Sequence, residues 1–476
     1  MLKDELGFKG LVVTDWADIE NLHKRDKVAA TMKEAVKLSV NAGIDMSMIP
    51  YNFDFCDHLI ALVKEGAVSM ERIDDAVYRI LYVKNKLGLF QQTSFSRTDY
   101  PDFGGKKHGK VAYDLAVESI TLLKNKEAIL PLKKGTKILV AGPNSNSMRT
   151  LNGGWTYSWQ GEKVEEFAGE YNTILEALIK KAGKKNVTYV EGVSYDHKGK
   201  YWQEKDINIE AAVKAAENVD MIVLCLGENT YTEKPGDLHE LAISPNQVAL
   251  TQALAKTGKP IVMVLNEGRP RLIREIEPLA KAIVHIYLPG NYGGDALVAV
   301  LYGDKNPSGK LPYTYPLFTN TLLNYDYKPS ENQSKMSGVY DYESEFAVQY
   351  EFGHGLSYTT FAYSNLKVNK KTFKGGDTVQ VTVDIKNTGK VTGAEVVQLF
   401  VSDEYASITP DNKKLKGFQK ITLAAGATKT VTFELGNEAF SFINAELRSV
   451  MEKGDFTITI EKLIEKITLE EDFELK

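Results

Sequence analysis

The sequence predicts an α/β fold joined to an all-β domain, and three observations carry that reading. Val/Ile-rich strand candidates alternate with helical stretches as far as residue 302. The first of these α/β segments is too short to complete a sheet. Beyond about residue 360 the apolar period switches to two. A chain of 476 residues exceeds one hydrophobic core, so several domains are expected.

Residues 1–90 read as strand, helix, strand, helix, helix. Gly10 to Thr14 is a short apolar run ending in Asp15-Trp16-Ala17-Asp18, the pattern of a buried parallel strand leading into a polar loop. Met32, Ala35, Val36, Ser39 and Val40 mark one helix face, closed by Gly43, and Ile44 to Met48 supplies a second strand. Phe55, Leu59, Leu62 and Val63 mark the next helix. Ser69 is an N-cap for a third, with Ile73, Val77, Ile80, Leu81 and Lys84 at helical spacing. Two parallel strands cannot cover both faces of a sheet, so this region reads as the end of a larger α/β body.

Residues 91–109 are polar, rich in Thr, Ser, Gly and Pro, and read as a linker. Residues 110–330 read as a doubly wound α/β domain. Its strands are expected at Lys137–Ala141, Val187–Val190, Met221–Leu226, Ile261–Leu265 and Ala282–Tyr287. Its helices are expected near Thr173–Ala182, Ile209–Asn218, Pro245–Lys256 and Gly293–Tyr302. A connecting segment, 331–360, leads to a β-sandwich over 361–476, where Val379 to Ile385, Lys429 to Leu435 and Asp455 to Ile460 alternate strictly.

Composition excludes several function classes. A net charge of −5 offers no basic field for nucleic acid, and no apolar run approaches the ~20 residues that span a bilayer. No Lys/Arg block suggests an anionic membrane surface. Cys56 and Cys225 form no C-x-x-C pair, and Cys225 sits in the apolar run from Met221 to Leu226 as a buried thiol. The seven histidines have no ligand spacing, and His285 reads as a core residue. Dinucleotide, P-loop, zinc-protease and nucleophile-elbow motifs are missing. Met1 to Phe8 lacks the ordered parts of an export signal, which leaves the compartment open.

Three places could carry chemistry. Asp15 ends an apolar strand, the usual position of catalytic groups in β/α barrels; capping the following helix is the competing role. The loop from Gly227 to Asp237 holds Glu228, Glu233 and Asp237, and reads either as one half of a carboxyl pair or as a solvated acidic loop. Glycosidases need one ionised carboxyl to attack the anomeric carbon and one protonated carboxyl to assist the leaving oxygen. In Gly153-Gly154-Trp155-Thr156-Tyr157-Ser158-Trp159-Gln160-Gly161, two of the four tryptophans share a glycine-flanked loop. Indole faces suit the C–H faces of sugar rings; interface packing is the alternative, stronger for Trp155 than for Trp159.

Taken together, these motifs resemble glycoside hydrolase family 3, in its β-glucosidase and exo-β-glucanase branch. Gly7-Phe8-Lys9-Gly10-Leu11-Val12-Val13-Thr14-Asp15-Trp16 is similar to the family's nucleophile segment. Tyr231-Thr232-Glu233, followed by Gly236-Asp237, resembles its acid/base loop, and Trp155 to Gly161 its aromatic loop. Pro289-Gly290, Gly293-Gly294 and Asn306 to Pro312 resemble a structural hallmark, and Gly353 to Thr359 the entry to a fibronectin type III-like domain. The resemblance implies the end of a β/α barrel, a doubly wound α/β sandwich domain and a C-terminal fibronectin type III-like β-sandwich. It implies a retaining exo-β-glycosidase with Asp15 as nucleophile and Glu233 as acid/base. Trp16, Trp155, Trp159 and Tyr231 would be substrate contacts, on a β-linked oligosaccharide or glycoside. No organic cofactor or metal is implied, and a homodimer stays open. β-Xylosidase action and a non-catalytic carbohydrate-binding role are the competing expectations. A full barrel takes ~250 residues, so the first region is expected to supply only its last strands and to need the remainder for activity.

Overall fold

The computed structural model describes residues 1–92, 94, 96–321, 324–331 and 347–475. They divide into two compact units, Met1–Phe103 and Gly104 onward, the break falling inside the segment 91–109. In the first unit β1 (Val13–Trp16) is followed by α1 (Asp18–Lys24), α2 (Met32–Asn41), β2 (Met46–Met48), α3 (Asp54–Lys64) and α4 (Met70–Lys86). Thr31 and Ser69 cap α2 and α4 by accepting the backbone N–H of Glu34 and Arg72, which fixes where each helix begins. Ile19, Ala35, Val36, Val40, Leu62 and Val68 form this unit's core.

β1 and β2 pair in parallel, Val13 opposite Met46 and Trp16 opposite Met48. The strand starts later than its apolar run suggested, so Asp15 lies within it. Nor is it buried: Val13 is 49% and Trp16 57% exposed. The cause is topological, since each strand has only the other as a neighbour among the described residues.

In the second unit α5 (Lys106–Ser119) starts inside the segment expected to be linker, with Gly105 as its N-cap. Then follow β3 (Thr121–Asn125), β4 (Ile138–Ala141), the short α6 (Met148–Asn152) and α7 (Val164–Phe167), α8 (Ile174–Ala182) and β5 (Val187–Tyr189). A small hairpin, β6 (Ser194–Tyr195) with β7 (Glu204–Lys205), precedes α9 (Ile209–Ala216), β8 (Met221–Gly227), α10 (Pro245–Ala255), β9 (Ile261–Asn266), β10 (Ala282–His285) and α11 (Gly293–Leu301). The six-stranded sheet has the order β3-β10-β9-β8-β4-β5. It is parallel except for β3, which runs antiparallel to β10 at one edge.

Side-chain alternation divides each strand between two cores. Val140, Val223, Cys225 and Val264 pack on one face with residues of α8 and α11; Leu139, Leu224, Leu226 and Met263 pack on the other with α9 and α10. Because β4 is flanked by β5 on one side and β8 on the other, the chain reverses its winding there, and a crevice opens at the strands' carboxyl ends.

The sandwich follows. One sheet holds Phe361–Val368, Val379–Asn387 and Thr428–Leu435, and the other holds Thr372–Phe373, Leu463–Leu469, Gly454–Ile460, Gly393–Asp403 and Lys414–Leu423. Val379, Val381, Val383 and Ile385 point into its core. Of the expected connecting segment 331–360, residues 332–346 lie outside the described residues. Val348–Tyr350 pairs antiparallel with Tyr315–Pro316. No helix among the described residues is long and apolar enough to cross a membrane.

Candidate active site

In the first unit a buried carboxylate anchors the strand that carries Asp15. Asp45, its side chain sealed from solvent, accepts from Lys3 Nζ at 2.7 Å, Arg72 at 2.5 Å and the Val12 backbone N–H at 2.9 Å. Burial alone would push its pKa up, but these donors outweigh burial and hold it below the usual carboxylate range. Arg79 donates to the Gly10 carbonyl at 3.0 Å, tying α4 to the same approach. Asp15 itself is exposed, and its Oδ1 accepts the Trp16 N–H at 2.7 Å. The capping role fails here: α1 begins at Asp18, and its N-cap, Ala17, has no side-chain bond. Trp16 donates from Nε1 to the Tyr51 hydroxyl at 3.1 Å and meets that ring edge-on at 6.2 Å.

In the second unit the loops after β4, β8 and β9 meet at the crevice. Only glycine fits at Gly142 and Gly227, where an added Cβ would lie 2.1 Å from the Cys225 carbonyl oxygen and 2.0 Å from that of Asn266, both with left-handed φ. Asn144 Nδ2 bridges the Glu228 and Asn266 carbonyls at 3.1 and 3.2 Å, locking these loops together.

Four carboxyl groups of these loops differ sharply, Asp237 being exposed on extended backbone with φ −64° and ψ 140°. Glu228 is buried and ion-paired with Arg269 at 3.1 Å and Arg271 at 2.7 Å; it also accepts the Tyr231 hydroxyl at 2.9 Å. Glu267 is completely buried, accepts Tyr315 Oη at 2.8 Å, and is pushed up to about 8 by burial and then by the charge of Glu228. Glu233 is exposed, and its carboxylate has no partner among the described residues. Its backbone adopts φ 52°, ψ −151°, a region that side chains rarely occupy, at a cost of about 1–3 kcal/mol. His285 is a core residue, as its apolar context suggested. Its Nδ1 accepts the Tyr287 N–H at 3.0 Å, so the proton sits on Nε2, facing Tyr313 Oη at 3.0 Å. Burial depresses its pKa to about 3.

The aromatic loop folds as a tight hairpin, Trp155 N–H donating to the Trp159 carbonyl at 2.8 Å. Trp155 is 69% and Trp159 46% exposed, so neither is used as interface packing within this unit. Tyr231 is half-buried beneath Arg269, whose guanidinium lies 4.0 Å from the ring centroid. The structure therefore groups Trp155, Trp159, Tyr231 and Glu233 on adjoining loops of the second unit, and Asp15 and Trp16 on one strand of the first.

Comparison with known proteins gives this arrangement its family. Residues 120–358 match the glycosyl hydrolase family 3 C-terminal domain, 1–83 that family's N-terminal domain, and 395–463 a fibronectin type III-like domain. The chain belongs to glycosyl hydrolase family 3. A lysosomal β-glucosidase of Dictyostelium discoideum is 37% identical over 97% of the chain and 56% of its own length. A β-xylosidase of Formosa agariphila is 36% identical, with 97% and 64% covered, and a periplasmic β-glucosidase of Salmonella typhimurium 36%, with 97% and 62%. A β-glucosidase from Listeria innocua, solved in complex with gluconolactone, superposes with a TM-score of 0.85 at 30% identity over 99% of this chain and 64% of that one. The chain thus spans somewhat over half the length of these relatives.

Within this family 3 chain, sequence reasoning missed the residues that hold the acidic loop. Arg269 and Arg271 carry the signal, two cations two positions apart in the loop after β9, facing a loop with three carboxylates. Gln160 gave no signal in a single sequence. No group of three His, Cys, Asp or Glu among the described residues is arranged to hold a metal ion.

Proposed function

We propose that this chain carries the catalytic carboxyl groups of a retaining exo-β-glycosidase of the β-glucosidase type. Asp15 attacks the anomeric carbon of a terminal β-linked sugar. Glu233 protonates the departing glycosidic oxygen, then takes a proton from the water that releases the glycosyl-enzyme. Trp16, Trp155, Trp159 and Tyr231 contact the sugars. The observation that carries this reading is the contrast among four carboxylates of these loops: Glu228 and Glu267 are buried and held by protein partners, Asp237 is exposed on ordinary extended backbone, and Glu233 is the exposed one of the four that sits on a strained backbone. A binding protein would need neither that strain nor an unpaired carboxylate at the tip of a fixed loop.

Glucoside is the preferred substrate class, matching the names of most relatives; the Formosa β-xylosidase at 36% identity supports xyloside as the second reading. Asp15→Asn in the intact protein is expected to lower turnover of an aryl β-glucoside by ~10⁴-fold while sugar affinity is kept. Unchanged turnover would point to another nucleophile. We also propose that turnover requires more barrel strands than β1 and β2, because the flanks of these strands are exposed and a barrel sheet closes on itself. The 476-residue chain assayed alone should be inactive, and active when a polypeptide supplying the other strands is added; robust activity of the chain alone would overturn this point.

A further inference from the structure

Glu233 has no side-chain partner, so its position depends entirely on its backbone, and that backbone is pinned on both sides. On the near side, the Gln160 side-chain amide makes two bonds to one residue. Its Oε1 accepts the Thr232 N–H at 3.0 Å, and its Nε2 donates to the Thr232 carbonyl at 3.1 Å. Thr230 Oγ1 returns a third bond, to the Gln160 carbonyl, at 2.9 Å. On the far side, Arg269 donates to the Gly236 carbonyl at 2.6 Å while its Nε is held by Glu228. The Gly236 N–H in turn donates to the Glu233 carbonyl at 2.8 Å.

The hairpin that carries Gln160 is fitted to the acidic loop with no room to spare. A Cβ on Gly154 would fall 2.7 Å from both Thr232 Cβ and the Tyr231 carbonyl oxygen. One on Gly161 would fall 2.5 Å from the Gly153 carbonyl and 2.6 Å from Thr230 Oγ1. The exposed indoles of Trp155 and Trp159 stand on this same hairpin. A force on the hairpin from a bound sugar therefore reaches Thr232, and through it Glu233, with no flexible segment between.

We propose that Gln160 is the positioning residue for the acid/base carboxylate, the joint through which the aromatic hairpin sets where Glu233 delivers its proton. This rests on Glu233 being the acid/base. Removing the amide leaves the carboxylate present but misplaced, and a misplaced acid matters only where the leaving group needs a proton.

The test uses the intact protein, with kcat/KM measured on phenyl and 2,4-dinitrophenyl β-glucosides. Gln160→Ala is expected to lower kcat/KM on the phenyl glucoside by ~10–100-fold, and on the dinitrophenyl glucoside by less than ~3-fold, since dinitrophenolate departs unprotonated. Glu233→Ala is the reference and should show the same dependence, more steeply. A uniform loss on both substrates in Gln160→Ala, or no loss, would overturn the proposal. Absence of leaving-group dependence in Glu233→Ala would instead remove the acid/base assignment and the proposal with it. Hydrogen exchange gives a second readout in the 476-residue chain. Amides of residues 229–237 should exchange faster in Gln160→Ala while those of β9 and β10 stay protected, and unchanged exchange in 229–237 would also overturn it. Should Gln160→Ala fail to fold, Gln160→Glu keeps the acceptor for the Thr232 N–H, removes the donor to its carbonyl, and should show the same selectivity in weaker form.

Discussion

Glu228, Glu233 and Glu267 share one crevice and one side-chain chemistry, and their surroundings assign them different tasks. Two guanidinium groups hold the Glu228 carboxylate in place, where it supports Tyr231 and Arg269. Glu267 lies where water cannot solvate a charge, beside the charged Glu228, so it stays protonated to about pH 8. This carries a stability consequence. The unfolded chain loses that proton near 4.5, and the folded one holds it until about 8. The Glu267 contribution to stability therefore falls as pH rises from about 4.5 to about 8 and is constant above. Glu267→Gln, which mimics the protonated form, should flatten that decline. Melting temperature followed from pH 5 to 8 checks it, and a variant with the same slope as the parent would refute the buried-acid account. From sequence, Glu233 was picked out through its resemblance to a family motif. The committed state of Glu228 was not legible, because its arginines come from a different loop, 41 and 43 positions away.

At the scale of elements, periodicity carried most of the fold. The cap at Ser69, the helical stretch from Thr173, and the continuous apolar runs of β4, β8 and β9 define segments that coincide with the observed ones within a residue or two. Neither α5 nor β3 was read from the sequence; Thr121 to Asn125 is a short run one residue after α5, and pairing with β10 is what makes it a strand. The burial of β1 was misjudged for a related reason, since an apolar run reports the environment of a completed sheet. What holds β1 in place is polar. Asp45 binds Lys3, Arg72 and the Val12 N–H, linking both strands to α4. Asp45→Ala would leave the Val12 N–H without its acceptor and Lys3 and Arg72 with Asp75 as their remaining carboxylate, and should destabilise the first unit by about 1–3 kcal/mol. The carboxylate is held below its normal pKa, so its contribution is present above about pH 4 and is lost as pH falls through the depressed value. Chemical denaturation at pH 7 and pH 3 should show the variant's deficit shrinking on acidification, and a constant deficit would mean that packing, not charge, is what Asp45 provides.

At the scale of the molecule, the residues proposed for the chemistry lie on two units with separate cores: Asp15 and Trp16 stand on one, Glu233 and the aromatic hairpin on the other. That division was legible in part. The switch from mixed to strict alternation past residue 360 marked the sandwich, and Asp15 at a strand end marked a barrel. The fit of hairpin to acidic loop was not legible, because backbone clearances at Gly154 and Gly161 depend on how distant loops meet. The central claim is that Asp15 forms a covalent bond to the sugar. It is tested most directly by treating the intact protein with a 2-deoxy-2-fluoro-β-glucosyl fluoride, digesting it, and locating the added mass. A stable adduct on the peptide containing Asp15, absent in Asp15→Asn, is the predicted result; an adduct on a different carboxylate, or turnover with no adduct and inverted product, would contradict it.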